Sequence, residues 1–354
     1  MPASLVTGGT GFIALYVIQL LLEQGHTVHT TVRSLTNKTK CKPLLEFQTR
    51  FPDQLLLFEA DLLQPGSFKE AMQGCDIVYH IASPFLVPQQ IKDGLKECVE
   101  PALEGTRNVL GSVNETGSVR RVVLTSSIAA MYGDCIEIMH PPHNGVLSET
   151  AWNATSSVTN NPYHYSKLVA EREAWKMQES QPERNHWDLL VLNPGLVLGP
   201  SLASNSASGS LFLIEQVYNG AYKMSGCPEL YYPIVDVRDV AGAHVKAGTV
   251  KSVQQGRYLI APEGNTVSLL EIARMVRDVH HNPRMLPGWN MPRLMMYAIA
   301  PFVGLSKAWM SGNMGVRFAI DNKRSAEDLG MTYRDRESMV KDHYLGWWEG
   351  EQRK

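Results

Sequence analysis

Residues 161–167 read Asn-Pro-Tyr-His-Tyr-Ser-Lys at the start of a helical pattern. Tyr163 and Lys167 are four apart, so a helix turns both to the same side. A phenol alone is a poor acid near neutrality. An ammonium fixed beside it favours the phenolate and makes Tyr163 a better proton donor, which a carbonyl needs as it accepts a hydride. Tyr-x-x-x-Lys is common in helices, and two other stretches give it weight. One is the glycine-rich run Thr-Gly-Gly-Thr-Gly-Phe-Ile-Ala at 7–14, and the other is Thr125-Ser126-Ser127 at a strand end. Hydroxyls there lie where a nicotinamide would sit, and Ser127 can donate to a substrate oxygen. Against that, Ser and Thr end many strands.

The elements that must hold these residues follow a strand–helix rhythm. Residues 4–6 form a short apolar strand, the glycine run follows, and an apolar helix continues through 22. Strand, glycine turn and helix are the setting of a dinucleotide fingerprint. Gly8 permits the tight turn, and Gly11 lets the backbone approach a pyrophosphate at the helix N-terminus. Ala14 fills the third small position. The second strand, 27–32, ends at Val32-Arg33, with Lys38 and Lys40 beyond. An NAD-preferring fold carries an acid there. A guanidinium instead pairs with a 2′-phosphate, which makes NADP(H) the expected cofactor. Solvated surface charge is the alternative, and it suits Lys38.

A third strand spans 55–58, and Asp61-Leu62 after it either meets an adenine or caps a loop. A fourth, 77–81, runs into Ala82-Ser83, small residues that leave room in a crevice. The helix predicted over 92–115 carries Asn108 mid-length, which is either surface or holds a water in a proton relay. A fifth strand spans 119–124. Residues 130–161 read as an irregular polar stretch overhanging a site, with Glu149 and Trp152 as loop anchors. The Tyr163 helix, 163–176, comes next, then a sixth strand, 187–192. That strand exits through Asn193-Pro194-Gly195-Leu196-Val197, where Pro194 can wall one face of a nicotinamide. After a small-residue linker (202–210) and a helix (211–218), residues 234–241 return to strand and helix, with Asp239 read as the helix cap. Ser268 and Glu271 make a capping box before a helix to 280. Late methionines read as core or lobe packing. The pattern is a doubly wound α/β parallel sheet. Residues 1–200 form the dinucleotide-binding domain with 234–261 returning to it; 201–233 and 262–354 form a smaller substrate lobe.

Composition bounds the partners. The 354-residue chain is 44% hydrophobic and 19% charged with net charge −2, ordinary for a globular protein. No basic block points to nucleic acid or a membrane surface. Five widely spaced cysteines without CxxC suggest reduced thiols and a cytoplasmic setting. A strand starting so near Met1 leaves no signal peptide to expect. The Asn-x-Thr triplets at Asn37, Asn114 and Asn153 then read as chance. The apolar run at 291–305 is too short and too interrupted by proline to span a bilayer. His140-Pro141-Pro142-His143 lacks acidic or thiol partners at ligand spacing, so no metal is expected.

Taken together, the TGGTGFIA, TVRS (31–34), HIASP (80–84), LTSS (124–127), YxxxK (163–167) and NPGLVLGP (193–200) runs resemble the extended short-chain dehydrogenase/reductase superfamily. Within it they are similar to the dihydroflavonol reductase and cinnamoyl-CoA reductase group; His164 replaces a cysteine of the latter's signature. The resemblance implies catalytic Ser127, Tyr163 and Lys167, with Asn108 as a fourth member. It implies NADP contacts from Gly8, Gly11, Phe12, Ile13, Arg33, Lys40, Asp61, Leu62, Ala82, Ser83, Tyr163, Lys167, Pro194 and Val197. Lys167 would hold the nicotinamide ribose and depress the Tyr163 pKa. The expected activity is NADPH-dependent reduction of a small or medium-sized ketone or aldehyde, as in the group's microbial members, by a monomer or homodimer. A sugar-nucleotide epimerase or dehydratase and a 3β-hydroxysteroid dehydrogenase share the same Tyr and Lys. An NADP-sensing regulator is the non-enzymatic rival.

Overall fold

The computed structural model describes residues 3–83, 91–181, 186–203, 209–300 and 305–352. Seven strands build the central sheet: β1 (Ala3–Val6), β2 (Thr27–Val32), β3 (Leu55–Glu59), β4 (Cys75–His80), β5 (Arg121–Thr125), β6 (Asp188–Pro194) and β7 (Gly256–Ile260). They lie in the order 3-2-1-4-5-6-7, every neighbouring pair parallel. Within the sheet, β5 and β6 are buried on both faces and read as near-continuous Val and Leu runs. The chain winds outward from β1 to one edge, then crosses back to β4. At that switch point a crevice opens beyond the carboxyl ends of the strands.

Five helices matter most for the site: α1 (Phe12–Glu23), α2 (Lys38–Arg50), α3 (Glu100–Glu115), α4 (Pro162–Glu179) and α5 (Val237–Thr249). Helix α1 is apolar almost all round because it is enclosed between the sheet and α5. On the opposite face, Val109, Leu110 and Val113 of α3 and Ala174 of α4 pack onto Val78, Val122 and Leu189. A third core lies under the C-terminal helix Arg336–Gln352, where Tyr344 meets Tyr218 edge-on at 5.2 Å.

Four sequence readings change. The helix expected over 92–115 starts as a π-helical turn, Leu95–Val99, and becomes α-helical only from Glu100. Asp239 does not cap α5. Asp236 does, accepting from the Arg238 amide at 2.8 Å, while Asp239 is turned inward and paired with Arg334. The Ser268–Glu271 capping box is present, but its helix is Leu269–Met275. It stops short of 280 because the chain turns there, letting His280 bond the Tyr218 carbonyl at 3.1 Å. Residues 130–161 are irregular but not merely overhanging. They include the helix Ile136–Met139 and a strand, Val146–Leu147, that pairs with Ala319–Ile320. Tyr132, Ile138 and Leu147 form a further core with Phe318.

The late methionines pack in part, with Met295 41% exposed. Met291, Met296, Met310 and Met314 make a small core, whereas Leu294 on the helix Arg293–Ile299 points outward, 86% exposed. Part of the small-residue linker at 202–210 lies outside the described residues. All five cysteines are buried and unpaired, and burial pushes the Cys75, Cys135 and Cys227 thiols up to about 12. Among the described residues no helix is long and apolar enough to cross a membrane.

One buried ion pair ties these parts together. Glu171 of α4, 1% exposed, accepts from Arg257 Nε of β7 at 2.6 Å and from Ser126 Oγ at 2.5 Å. Asn193 Nδ2 of β6 donates to it at 2.8 Å. Arg257 also bonds the Glu149 and Ala151 carbonyls and lies 3.9 Å over the Trp152 ring, so both expected loop anchors are engaged. Removing one partner of such a pair strands the other charge. Glu171→Ala should cost about 3–5 kcal/mol of unfolding free energy. Arg107→Ala, which breaks exposed pairs with Glu104 and Glu173, should cost about 1 kcal/mol or less. Urea titration of both variants tests the contrast; equal losses would refute it.

Candidate functional site

The glycine turn is shaped by contacts as much as by sequence. Gly8 has φ +71°, and a Cβ there would lie 3.0 Å from Ala82 Cβ, so the turn and the end of β4 are in contact. Thr7 fixes that contact: its Oγ1 accepts from the Ile81 and Ala82 amides, both at 3.0 Å. Gly9, not singled out by sequence reading, tolerates no side chain, since its Cβ would fall 2.2 Å from Thr30 Oγ1. The Gly-Gly pair was the available signal. At Gly11 the N-cap of α1 has no side-chain hydrogen bond. The first-turn amides, those of Phe12 and Ile13 included, are therefore left for an anion.

Beyond β2, Arg33 and Lys40 are exposed at the outer end of the crevice. Leu35 N donates to Glu59 Oε1 at 2.7 Å, holding the loop that carries Arg33 against β3. Asp61 follows β3, and its Oδ1 accepts from Leu63 N at 2.8 Å, capping its own turn. Pro194 closes β6, and Val197 is 7% exposed in the short strand Leu196–Leu198.

Four predicted residues converge at the carboxyl ends of β4 and β5. Tyr163 sits in the first turn of α4, and Lys167 one turn on is 9% exposed. Lys167 Nζ donates to Ser83 Oγ at 2.9 Å and lies 6.0 Å from the Tyr163 ring centroid. Ser127 is held by its own turn, its Oγ accepting from Ala129 N at 3.1 Å. Behind Lys167 a small pocket of about 20 Å³ is lined by His80, Thr106, Ser126 and Glu171 among others, room for one water.

The electrostatics differ from the expectation. Burial is the largest influence on Tyr163 in this arrangement. Burial raises the Tyr163 pKa, and the Ser127 hydroxyl opposes that rise. Lys167 itself is lowered to about 8 by burial, with Glu171 partly offsetting. Spacing brought the two side chains to one side, but the ammonium is turned to Ser83.

Asn108 is not brought to this cluster. Its Nδ2 reaches the Asp61, Leu62 and Gln64 carbonyls at 3.3, 3.1 and 2.7 Å, and its Oδ1 accepts from Gly66 N at 2.8 Å. The side chain staples the loop after β3, and its bonding capacity is spent there. Its partners are more than 40 residues away in the chain, which spacing within a helix cannot show.

His164 lies between Tyr163 and Tyr132, its ring 5.9 and 6.3 Å from theirs. Burial lowers it to about 4. Three more histidines behave alike: His80 falls to about 3, His244 and His343 to about 4. His244 shows why. Its Nδ1 donates to the Val240 carbonyl at 2.8 Å, so Nε2 accepts from Thr125 Oγ1 at 2.6 Å. The ring is held neutral.

The profile of the NAD dependent epimerase/dehydratase family matches residues 4–261. A cinnamoyl-CoA reductase of Medicago truncatula is 33% identical over 343 residues, covering 95% of this chain and 93% of the relative. Tetraketide alpha-pyrone reductase 2 of Arabidopsis thaliana is 39% identical over 254 residues, 70% of this chain and 74% of the relative. Among solved structures, yeast methylglyoxal/isovaleraldehyde reductase Gre2 complexed with NADPH superposes with a TM-score of 0.80 at 26% identity, covering 99% of this chain and 100% of that one.

The four most strongly depressed histidines set a pH dependence. Their folded pKa values lie near 3–4 against an ordinary 6.5, so on acidification the unfolded chain takes up protons that the folded chain refuses. Their stabilisation is complete above pH 6.5 and is lost as pH falls toward 4, at up to about 1.4 kcal/mol per pH unit for a fully buried ring. Urea midpoints across that window should fall, and His244→Gln should flatten the slope. A flat wild-type profile would contradict neutral burial.

Proposed function

The chain belongs to the NAD dependent epimerase/dehydratase family, and on that premise we propose that it is an NADPH-dependent reductase of ketones or aldehydes. The observation that carries the reading is the cluster of Ser127, Tyr163, Lys167 and Ser83 at the mouth of a dinucleotide crevice. Relatives named as reductases, and a solved neighbour complexed with NADPH, support the same class.

The crevice fits such a cofactor. Gly8 and Gly9 let the turn sit tight against Ala82 and Thr30, which brings its backbone to the crevice. The Gly11 end of α1, with Phe12 and Ile13, would take the pyrophosphate. Arg33 and Lys40 would take the 2′-phosphate. Asp61, Leu62, Ala82, Ser83, Pro194 and Val197 would line the rest. When bound, NADPH supplies the hydride.

Each remaining step belongs to the chain. Ser127 donates a hydrogen bond to the substrate carbonyl and polarises it. Tyr163 passes its proton to the same oxygen as charge builds there. Burial raises the Tyr163 pKa and keeps the phenol protonated until that moment. The Lys167 ammonium, which donates to Ser83 and lies 6.0 Å from the Tyr163 ring centroid, would hold a ribose hydroxyl of the cofactor and face the phenolate left after proton transfer. A charge so near would favour that phenolate.

Tyr163→Phe should lower kcat at least about a thousandfold, within the scale of general acid catalysis, while fluorescence titration still detects NADPH binding. Undiminished turnover would remove Tyr163 from the mechanism. Arg33→Ser should reduce the kcat/KM ratio of NADPH to NADH about tenfold or more through loss of a charged phosphate contact. An unchanged ratio would leave the 2′-phosphate without its proposed partner.

A further inference from the structure

Asn161 stands two residues ahead of Tyr163 with φ 53° and ψ 59°. A residue other than glycine keeps that left-handed conformation only where its surroundings hold it, although Asn tolerates it better than most. Here both ends of the side chain are engaged. Nδ2 donates to the Gly133 carbonyl and to Asp134 Oδ1, each at 3.1 Å. Oδ1 accepts from Trp309 Nε1 at 2.9 Å.

Trp309 belongs to the helix Lys307–Asn313, nearly 150 residues further along. The same helix grips the same carboxylate. Asn313 Nδ2 donates to Asp134 Oδ1 at 2.7 Å, and Asn313 Oδ1 accepts from Cys135 N at 3.1 Å. The approach is close: a Cβ on Gly312 would stand 3.0 Å from Asp134 Cβ and Cγ. Pro162 follows Asn161 at the first position of α4 and fixes its own φ. Little slack remains between the clamped Asn161 and Tyr163.

We infer that Asn161 and Trp309 are positioning residues for Tyr163, through which the C-terminal part of the chain sets where the first turn of α4 points. The inference rests on reading Tyr163 as the proton donor. Neither residue touches the reacting atoms. The indole–amide bond acts on the launch of the helix, and small misplacements of a proton donor are costly in rate.

Two substitutions break the bond, Trp309→Phe alone and Asn161→Gly together with the contacts to Gly133 and Asp134. Trp309→Phe keeps an aromatic ring and removes the N–H. Asn161→Gly keeps a backbone at ease in the left-handed region and removes the amide. Each should lower kcat about tenfold, with KM for the carbonyl and Kd for NADPH within about twofold. Because both remove the same bond, the double variant should be about as slow as the slower single, not the product of the two losses. Trp309→Phe with wild-type kcat, or strictly multiplicative losses in the cycle, would overturn the inference. NADPH titration checks that each variant is folded. If Asn161→Gly fails to bind, kcat of Trp309→Phe decides alone. Error in the underlying reading shows separately, as undiminished turnover by Tyr163→Phe.

Discussion

A single buried carboxylate organises the active end of this molecule. Glu171 gathers Arg257, Ser126 and Asn193 onto its two oxygens. Those partners come from the ends of β5 and β6 and from β7, while Glu171 itself lies on α4 one turn beyond Lys167. The four elements cannot shift independently without leaving a charge or an amide unpaired in a low-dielectric interior. Asn193 extends the grip by donating to the Ser127 carbonyl at 3.1 Å. Ser127, and the helix that carries Tyr163, are thus referenced to one carboxylate. Catalytic geometry needs rigid support of this kind.

Much of the architecture is readable locally. Runs such as Val-Val-Leu in β5 and the Gly-Gly-Thr-Gly turn state their conformations through residues adjacent in sequence, and their parallel pairing follows from the alternation with helices. Tyr163, Lys167, Ser127 and Ser83 are legible for the same reason: each is fixed by a strand end or a helical turn. What escapes is long-range. Asn108 looks like a site residue by position, yet it is bound to a loop more than 40 residues upstream. Asp239 looks like a cap, but Arg334, distant in sequence, claims it. Glu171 shows its four-residue offset from Lys167 and nothing of Arg257. Trp309 gives no local hint at all.

The Tyr163–Lys167 relationship shows the limit of spacing as a guide to energy. A four-residue offset does bring both groups to one region. It does not report burial, which raises the tyrosine, lowers the lysine and sends the ammonium toward Ser83. The neutral histidines follow the same rule. In a densely packed interior, desolvation outweighs attraction unless a partner is in contact, and only a three-dimensional arrangement reveals which groups have one.

The burial of every cysteine has a practical corollary. A thiol reagent attacks the thiolate, and here each sulfur is shielded from reagent, with Cys75, Cys135 and Cys227 held firmly protonated. Labelling must wait for the chain to open. The rate at which an alkylating dye is incorporated therefore counts opening events rather than surface chemistry. Because the five sulfurs run from Cys41 on α2 to Cys227 beside Met291, mapping which one reacts first would show where the molecule comes apart.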